Sequence, residues 1–131
     1  MIAKSIIGPN TDIRVVLSTL WIFVLLNMLY ADMISLLDHN APIHILLMDK
    51  IEVPPAFLVG AALLMETVII MILLSRVLKY KTNRLANISI AIINILAVIL
   101  GGWSSAYYLL FASVEIAAML LIIWLAWSWK E

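Results

Sequence analysis

Four apolar runs divide the chain, at roughly residues 15–37, 55–75, 85–104 and 106–129. Each reaches the length of about 20 residues that an α-helix needs to cross a hydrocarbon layer of about 30 Å. Strands of a membrane β-barrel would run to only about 10 residues with strict alternation, and that pattern is not seen. The pattern predicts an all-α membrane protein, an antiparallel four-helix transmembrane bundle forming one domain over residues 1–131. The first run starts late and is too long for a signal-peptide core, so the whole chain is expected to persist as four spanning helices.

The connections differ in kind. Residues 38–54 form the long loop, with Asn40, Ala41 and Pro42 before an apolar stretch from Ile43 to Met48. Asn40 is expected to cap a short helix there, with Pro42 in its first turn. Residues 76–84 form a short basic loop, and the turn at Ser104 and Ser105 is tight, making the last two helices a hairpin. Trp103, Tyr107, Tyr108, Trp124, Trp127 and Trp129 fall near predicted helix ends, where aromatic rings favour the headgroup level.

Composition agrees with the pattern. Of 131 residues, 66% are hydrophobic and 12% charged, and mean hydropathy is +1.15. A chain this short could not hide so much apolar surface in a water-facing fold, which excludes a soluble enzyme and a nucleic-acid binder. There is no cysteine, so disulfides and thiolate chemistry are excluded too. Net charge is zero, but its distribution is lopsided. Arg76, Lys79, Lys81 and Arg84 lie in the basic loop, Lys4 and Arg14 before the first span and Lys130 after the fourth. Only Lys50 lies in the long loop. That asymmetry places both termini in the cytoplasm and the long loop outside.

The polar residues within the runs carry the candidate chemistry. Asn27, Glu66, Asn94 and Glu115 stand one per span, at a similar depth of about 15 Å. Intramembrane acids usually face a bundle interior or a water-filled cavity. The four are therefore expected to share a site, with Glu66 and Glu115 as anchors that would titrate as a coupled unit if they approach each other. Neighbours at helical spacing extend it: Phe23, Asn27, Tyr30 and Ile34 on one face, and Tyr108, Ala112, Glu115 and Ala118 on another. Tyr30, Asp32 and Tyr108 are expected to line its outward opening. The third span carries a small and polar stripe of Asn87, Ala91, Asn94, Ala97 and Gly101, with Asn87 read as packing glue. A glutamic acid bonded to an asparagine could equally hold helices together, at about 1 kcal/mol per bond. His39 and His44 stand five apart in the long loop, a spacing that is not a strong metal signature. No lysine lies within a span, which excludes a retinal-type Schiff base, and no cofactor motif is present.

Two stretches carry a resemblance. One runs from Leu17-Ser18-Thr19-Leu20-Trp21 to Tyr30-Ala31-Asp32; the other comprises Met65-Glu66, Leu74-Ser75-Arg76, Asn83-Arg84 and Asn87-Ile88. Together they resemble a family of small uncharacterised bacterial four-helix membrane proteins, distantly similar to the DoxX-like group. The resemblance implies Tyr30, Asp32, Glu66, Asn83 and Arg84 as pattern positions and a bacterial inner membrane as the setting, without implying an activity. Small multidrug transporters also have four helices and an intramembrane Glu, but theirs is in the first helix, where this chain has Asn27. The expected function is binding, and in one form transport, of a small amphiphilic or cationic ligand. Membrane lipid is the expected surrounding partner, and transport by four helices would call for a homodimer. An intramembrane acid–base enzyme acting on a lipid-like substrate and an accessory membrane subunit are the alternatives.

Overall fold

The computed structural model describes residue 8 and residues 11–49, 52–101 and 105–130. Lys4, Lys50, Trp103 and Ser104 lie outside the described residues. Five helices are present among them: α1 (Ile13–Ser35), α2 (Pro42–Met48), α3 (Pro55–Val77), α4 (Tyr80–Leu100) and α5 (Ala106–Ser128). The four longer ones are each long and apolar enough to cross a membrane. At 1.5 Å per residue, a helix of 23 residues extends about 34 Å.

Local chemistry sets the helix ends. The Asp12 side chain accepts from the backbone N–H of Arg14 at 3.0 Å, so α1 begins two residues before its apolar run. Pro55 occupies the first turn of α3, where its missing N–H costs nothing. The α4 helix starts at Tyr80, five residues before its apolar run, because Lys81, Thr82, Asn83 and Arg84 are tolerated in a helical turn that hydropathy alone overlooks. The short α2 is also present, but Asn40 does not cap it. The cap position belongs to Ala41, which makes no side-chain bond, and Pro42 opens the helix. Asn40 instead donates its backbone N–H to Asp38 Oδ1 at 3.0 Å, closing the turn before α2.

The four long helices form a ring in which α1 and α4 each pack against α3 and α5. The core is built from Leu17, Trp21 and Val24 of α1, Val68 and Met71 of α3, Ala91 and Val98 of α4, and Ala112, Met119, Ile122 and Leu125 of α5. On α1 the inward face is Leu17, Trp21, Val24, Ala31 and Ser35, spaced in threes, fours and sevens. The face expected from Phe23, Asn27, Tyr30 and Ile34 therefore turns away from the core. Phe23, Tyr30 and Ile34 are exposed, and the Asn27 Nδ2 donates to its own helix at Phe23 O, 2.9 Å away.

One end of the ring is basic. There the α1 start meets the α3 end, with Arg76 Nε donating to Ser18 Oγ at 3.2 Å. The α4 start likewise meets the α5 end. Arg84 donates from Nε to Ala126 O at 2.8 Å and from Nη2 to Trp127 O at 2.9 Å. Its guanidinium satisfies orphan carbonyls and sits at the negative end of the helix dipole. Tyr80 adds a bond of 2.6 Å to Trp129 O.

Just inside this end lies a buried polar network across three helices. Trp21 Nε1 donates to Asn87 Oδ1 at 2.7 Å, and Ser75 Oγ donates to the same oxygen at 3.2 Å. The Asn87 Nδ2 donates to Asn83 O and Oδ1 at 2.9 and 2.6 Å. Asn83 Nδ2 then donates to Ser75 O at 2.8 Å. The indole is only a donor, so the amide of Asn87 has one permitted orientation. Asn87 is packing glue in a literal sense, and Asn83 extends its stripe one turn further than the apolar run suggests.

Candidate functional site

At the other end, the helices do not close. A cavity of about 370 Å³ is lined by all four long helices. Met28, Ala31 and Asp32 come from α1; Phe57, Ala61, Leu64 and Met65 from α3; Asn94, Ala97 and Val98 from α4; Tyr108 and Glu115 from α5. The walls are chiefly apolar, with two carboxyl side chains, one amide and one phenol. Among the described residues lining it, none is basic.

Each polar group arrives by its helix phase. Glu115 lies on the inward face of α5 with Ala112, Ala118 and Met119, and is 5% exposed. Asp32 follows the buried Ala31 at the rim. Neither carboxyl makes a hydrogen bond or ion pair among the described residues. Asn94 is buried and donates from Nδ2 to Thr67 Oγ1 at 3.1 Å and to Ile90 O at 3.0 Å. Thr67 spends its own proton on Leu64 O at 2.6 Å, so its oxygen must accept and the amide must present nitrogen. The Asn94 Oδ1 is left as an acceptor.

Of the seven expected site residues, the structure brings together Asp32, Asn94, Tyr108 and Glu115. It places Glu66, Asn27 and Tyr30 elsewhere. Glu66 is exposed on α3 and does not line the cavity. The buried face of α3 is Val68, Met71 and Ser75. At about 100° per residue, Glu66 lies about 200° from Val68 and so points the opposite way. Asn27 is half-buried and Tyr30 is exposed, each off the α1 face that lines the cavity. The carboxyl partner of Glu115 in the cavity is thus Asp32. Thr67 had no signal in the sequence beyond being a hydroxyl one position from Glu66.

A second space of about 320 Å³ adjoins the first and shares Asp32 and Tyr108 with it. Ala41, Pro42 and Ile43 from the start of α2 and Ser35, Gly101 and Tyr107 complete its lining. The short helix is therefore a lid over an outer vestibule. Two ties hold it. His44 Nδ1 lies 2.7 Å from Leu36 O, which can only accept, so Nδ1 carries the proton. His44 Nε2 lies 3.0 Å from His39 Nδ1 and shares a hydrogen bond with it, the rings edge to face. Asp38 makes the second tie, its Oδ2 accepting from Ser105 Oγ at 3.1 Å and Tyr107 OH at 3.0 Å. Tyr107 thus bonds to the segment before the lid, and Tyr108 lines both cavities.

The Asn40 N–H and the Tyr107 hydroxyl, followed by Ser105, hold the Asp38 carboxyl below its ordinary value of 3.8. A depressed carboxyl contributes stability above its unfolded value and loses it as pH falls through its folded one. The lid tie should therefore be intact above pH 3.8 and loosen below it. Hydrogen exchange of residues 36–49, corrected for intrinsic rate, should quicken on acidification in that range. The D38N variant should be fast throughout. Equal protection of both proteins at every pH would remove Asp38 from this role.

Four apolar helices long enough to cross a membrane, around a chiefly apolar cavity, place the chain among membrane proteins. Within that class, the chain belongs to DUF6326, a family of unknown function whose profile matches residues 5–131. No curated protein and no solved structure matches the chain.

Proposed function

We propose that the bundle binds a small amphiphilic cation between Asp32 and Glu115. The observation that carries this is two carboxyl side chains from different helices in one apolar-walled cavity that has no basic lining residue. A carboxylate as buried as that of Glu115 needs a partner, and the exposed Asp32 at the rim supplies a second negative group. An organic cation supplies that partner and matches the apolar walls with its own apolar part. The volume of about 370 Å³ lies at the lower end of the range for small-molecule pockets. Phe57 and Tyr108 add aromatic rings of the kind that favour alkylated ammonium groups. The lidded vestibule, sharing Asp32 and Tyr108, supplies a route between cavity and exterior, which supports a transporting form. The homodimer that transport calls for would cover α3, whose spanning window is only 11% buried, and give Glu66 a partner. In this reading the helices alternate in direction across a bacterial plasma membrane, with both termini and the basic end in the cytoplasm, as the Lys and Arg asymmetry supports.

Native mass spectrometry tests the reading, with phenyltrimethylammonium as probe and gently solubilised protein. Wild type should bind the probe, and D32N/E115Q should lose at least about tenfold in affinity, which is about 1.4 kcal/mol. E66Q should bind like wild type, because Glu66 lies outside the cavity. Equal binding by wild type and D32N/E115Q would overturn the proposal.

A further inference from the structure

We infer a second binding site, for a phosphate group, at the basic end between Arg14 and Arg76. The group expected there is the phosphodiester of an anionic phospholipid, so the inference rests on the reading that the bundle crosses a membrane.

Arg76 touches Ser18, and Arg14 stands one turn before Ser18 on α1. Arg76, in the last turn of α3, donates its Nε to Ser18 Oγ at 3.2 Å. The hydroxyl can accept because it spends its own proton on Ile72 O at 2.7 Å. Arg14 lies one turn earlier on α1, at the i−4 position, on the same stripe as Ser18. Its guanidinium carbon sits 5.7 Å from the centre of the Trp129 ring, which holds the head group beside the bundle instead of letting it extend away.

Neither head group is neutralised. Among the described residues, Arg14 and Arg76 have no ion pair, and the Nε of Arg14 is a buried donor with no acceptor. A buried unpaired donor is uncommon and calls for a partner that none of the described residues supplies. Asp12, the nearest carboxyl in sequence, is occupied with the backbone N–H of Arg14. Arg84 differs from both. Each of its three nitrogens donates within the chain, to Ala126 O, Trp127 O and the Tyr80 hydroxyl, so it is held as a helix cap. The two guanidinium groups stand at the start of α1 and the end of α3, helices that pack against each other, and an anion held there would offset both charges. Planar donor forks suit phosphate oxygens. Their place at the ends of two spanning helices is the depth of a headgroup phosphate, and free phosphate would use the same donors.

The test uses the full chain, first shown to resist alkaline carbonate extraction from membranes; extraction would refute the membrane reading itself. Native mass spectrometry then compares retention of phosphatidylglycerol and phosphatidylcholine from mixed micelles. Wild type should favour phosphatidylglycerol by about tenfold. R14Q/R76Q should lose most of that preference, whereas K79Q/K81Q, which removes equal charge at the same end, should keep it. If the double variant fails to fold, R14K/R76K should show a reduced preference, since an ammonium lacks the planar fork. Inorganic phosphate added in large excess should not displace the lipid; displacement would reassign the site to free phosphate. No preference in wild type, or equal losses in the two Gln variants, would overturn the inference.

Discussion

Replacing Asn87 by Leu should destabilise the bundle by about 2–3 kcal/mol, a large effect for one side chain in a bilayer protein. Asn87 holds four hydrogen bonds, to Trp21, Ser75 and two oxygens of Asn83. Interhelical bonds in membranes average about 0.6 kcal/mol, because the unfolded segments also find partners in lipid. Two of the four, to Trp21 and Ser75, cross to other helices and give about 1.2 kcal/mol on that scale. A second route starts from the orphans. Leu would strand the Trp21 N–H and the Ser75 hydroxyl, both on fully buried residues, at about 1–3 kcal/mol each. The first route sets the floor and the second the ceiling, and the expected cost lies between them. Asn94→Leu is the comparison, because its link to another helix is one bond, to Thr67, and should cost about 1 kcal/mol or less. Reversible unfolding in mixed micelles measures both. An N87L variant within about 0.5 kcal/mol of wild type would show that the network is ornamental and that apolar packing alone joins α1, α3 and α4.

The lengths of the apolar runs were enough to find four long helices, because a bilayer-spanning helix has a minimum length that few other elements share. The same runs said less about rotation. Asn27 and Glu66 match Asn94 and Glu115 in depth, yet only the latter two face inward. The inward face of α1 is instead marked by Trp21 and small residues such as Ser18, Ala31 and Ser35. In a sequence apolar on every side, polarity does not choose the buried face. Close packing does, through small residues and through partners on other helices. An asparagine can also satisfy itself on its own helix, as Asn27 does at Phe23 O, and then carries no news of the interior. Asp32 could be read as a mouth residue because it stands about a turn outward of Asn27. Its meeting with Glu115 depends on how α1 packs against α5, which one sequence does not encode in any spacing. The Arg84 cap was hidden for a related reason: a basic residue in a loop between spans is fully accounted for by topology, until its contacts with Ala126 and Trp127 are seen.

Glu115→Leu should move stability in the opposite direction from Asn87→Leu. The carboxyl of Glu115 has no hydrogen-bond partner among the described residues, and Met28, Leu64, Met65 and Val98 line the same cavity. A leucine there would share their apolar character and remove an uncompensated polar group. Exchanging buried charged groups for well-packed apolar ones is often neutral or stabilising, by about 1–4 kcal/mol. The expected gain is about 1–2 kcal/mol, read as a rise in the midpoint of thermal unfolding in micelles. Binding of phenyltrimethylammonium should be lost in the same protein. A gain in stability with a loss of binding is the signature of a residue kept for its chemistry. Were Glu115 structural glue, the leucine variant would instead unfold earlier, as N87L is expected to. The two substitutions thus sort the polar residues by what they are for: Asn87 makes its bonds within the chain, and Glu115 keeps its own open for something the chain does not contain.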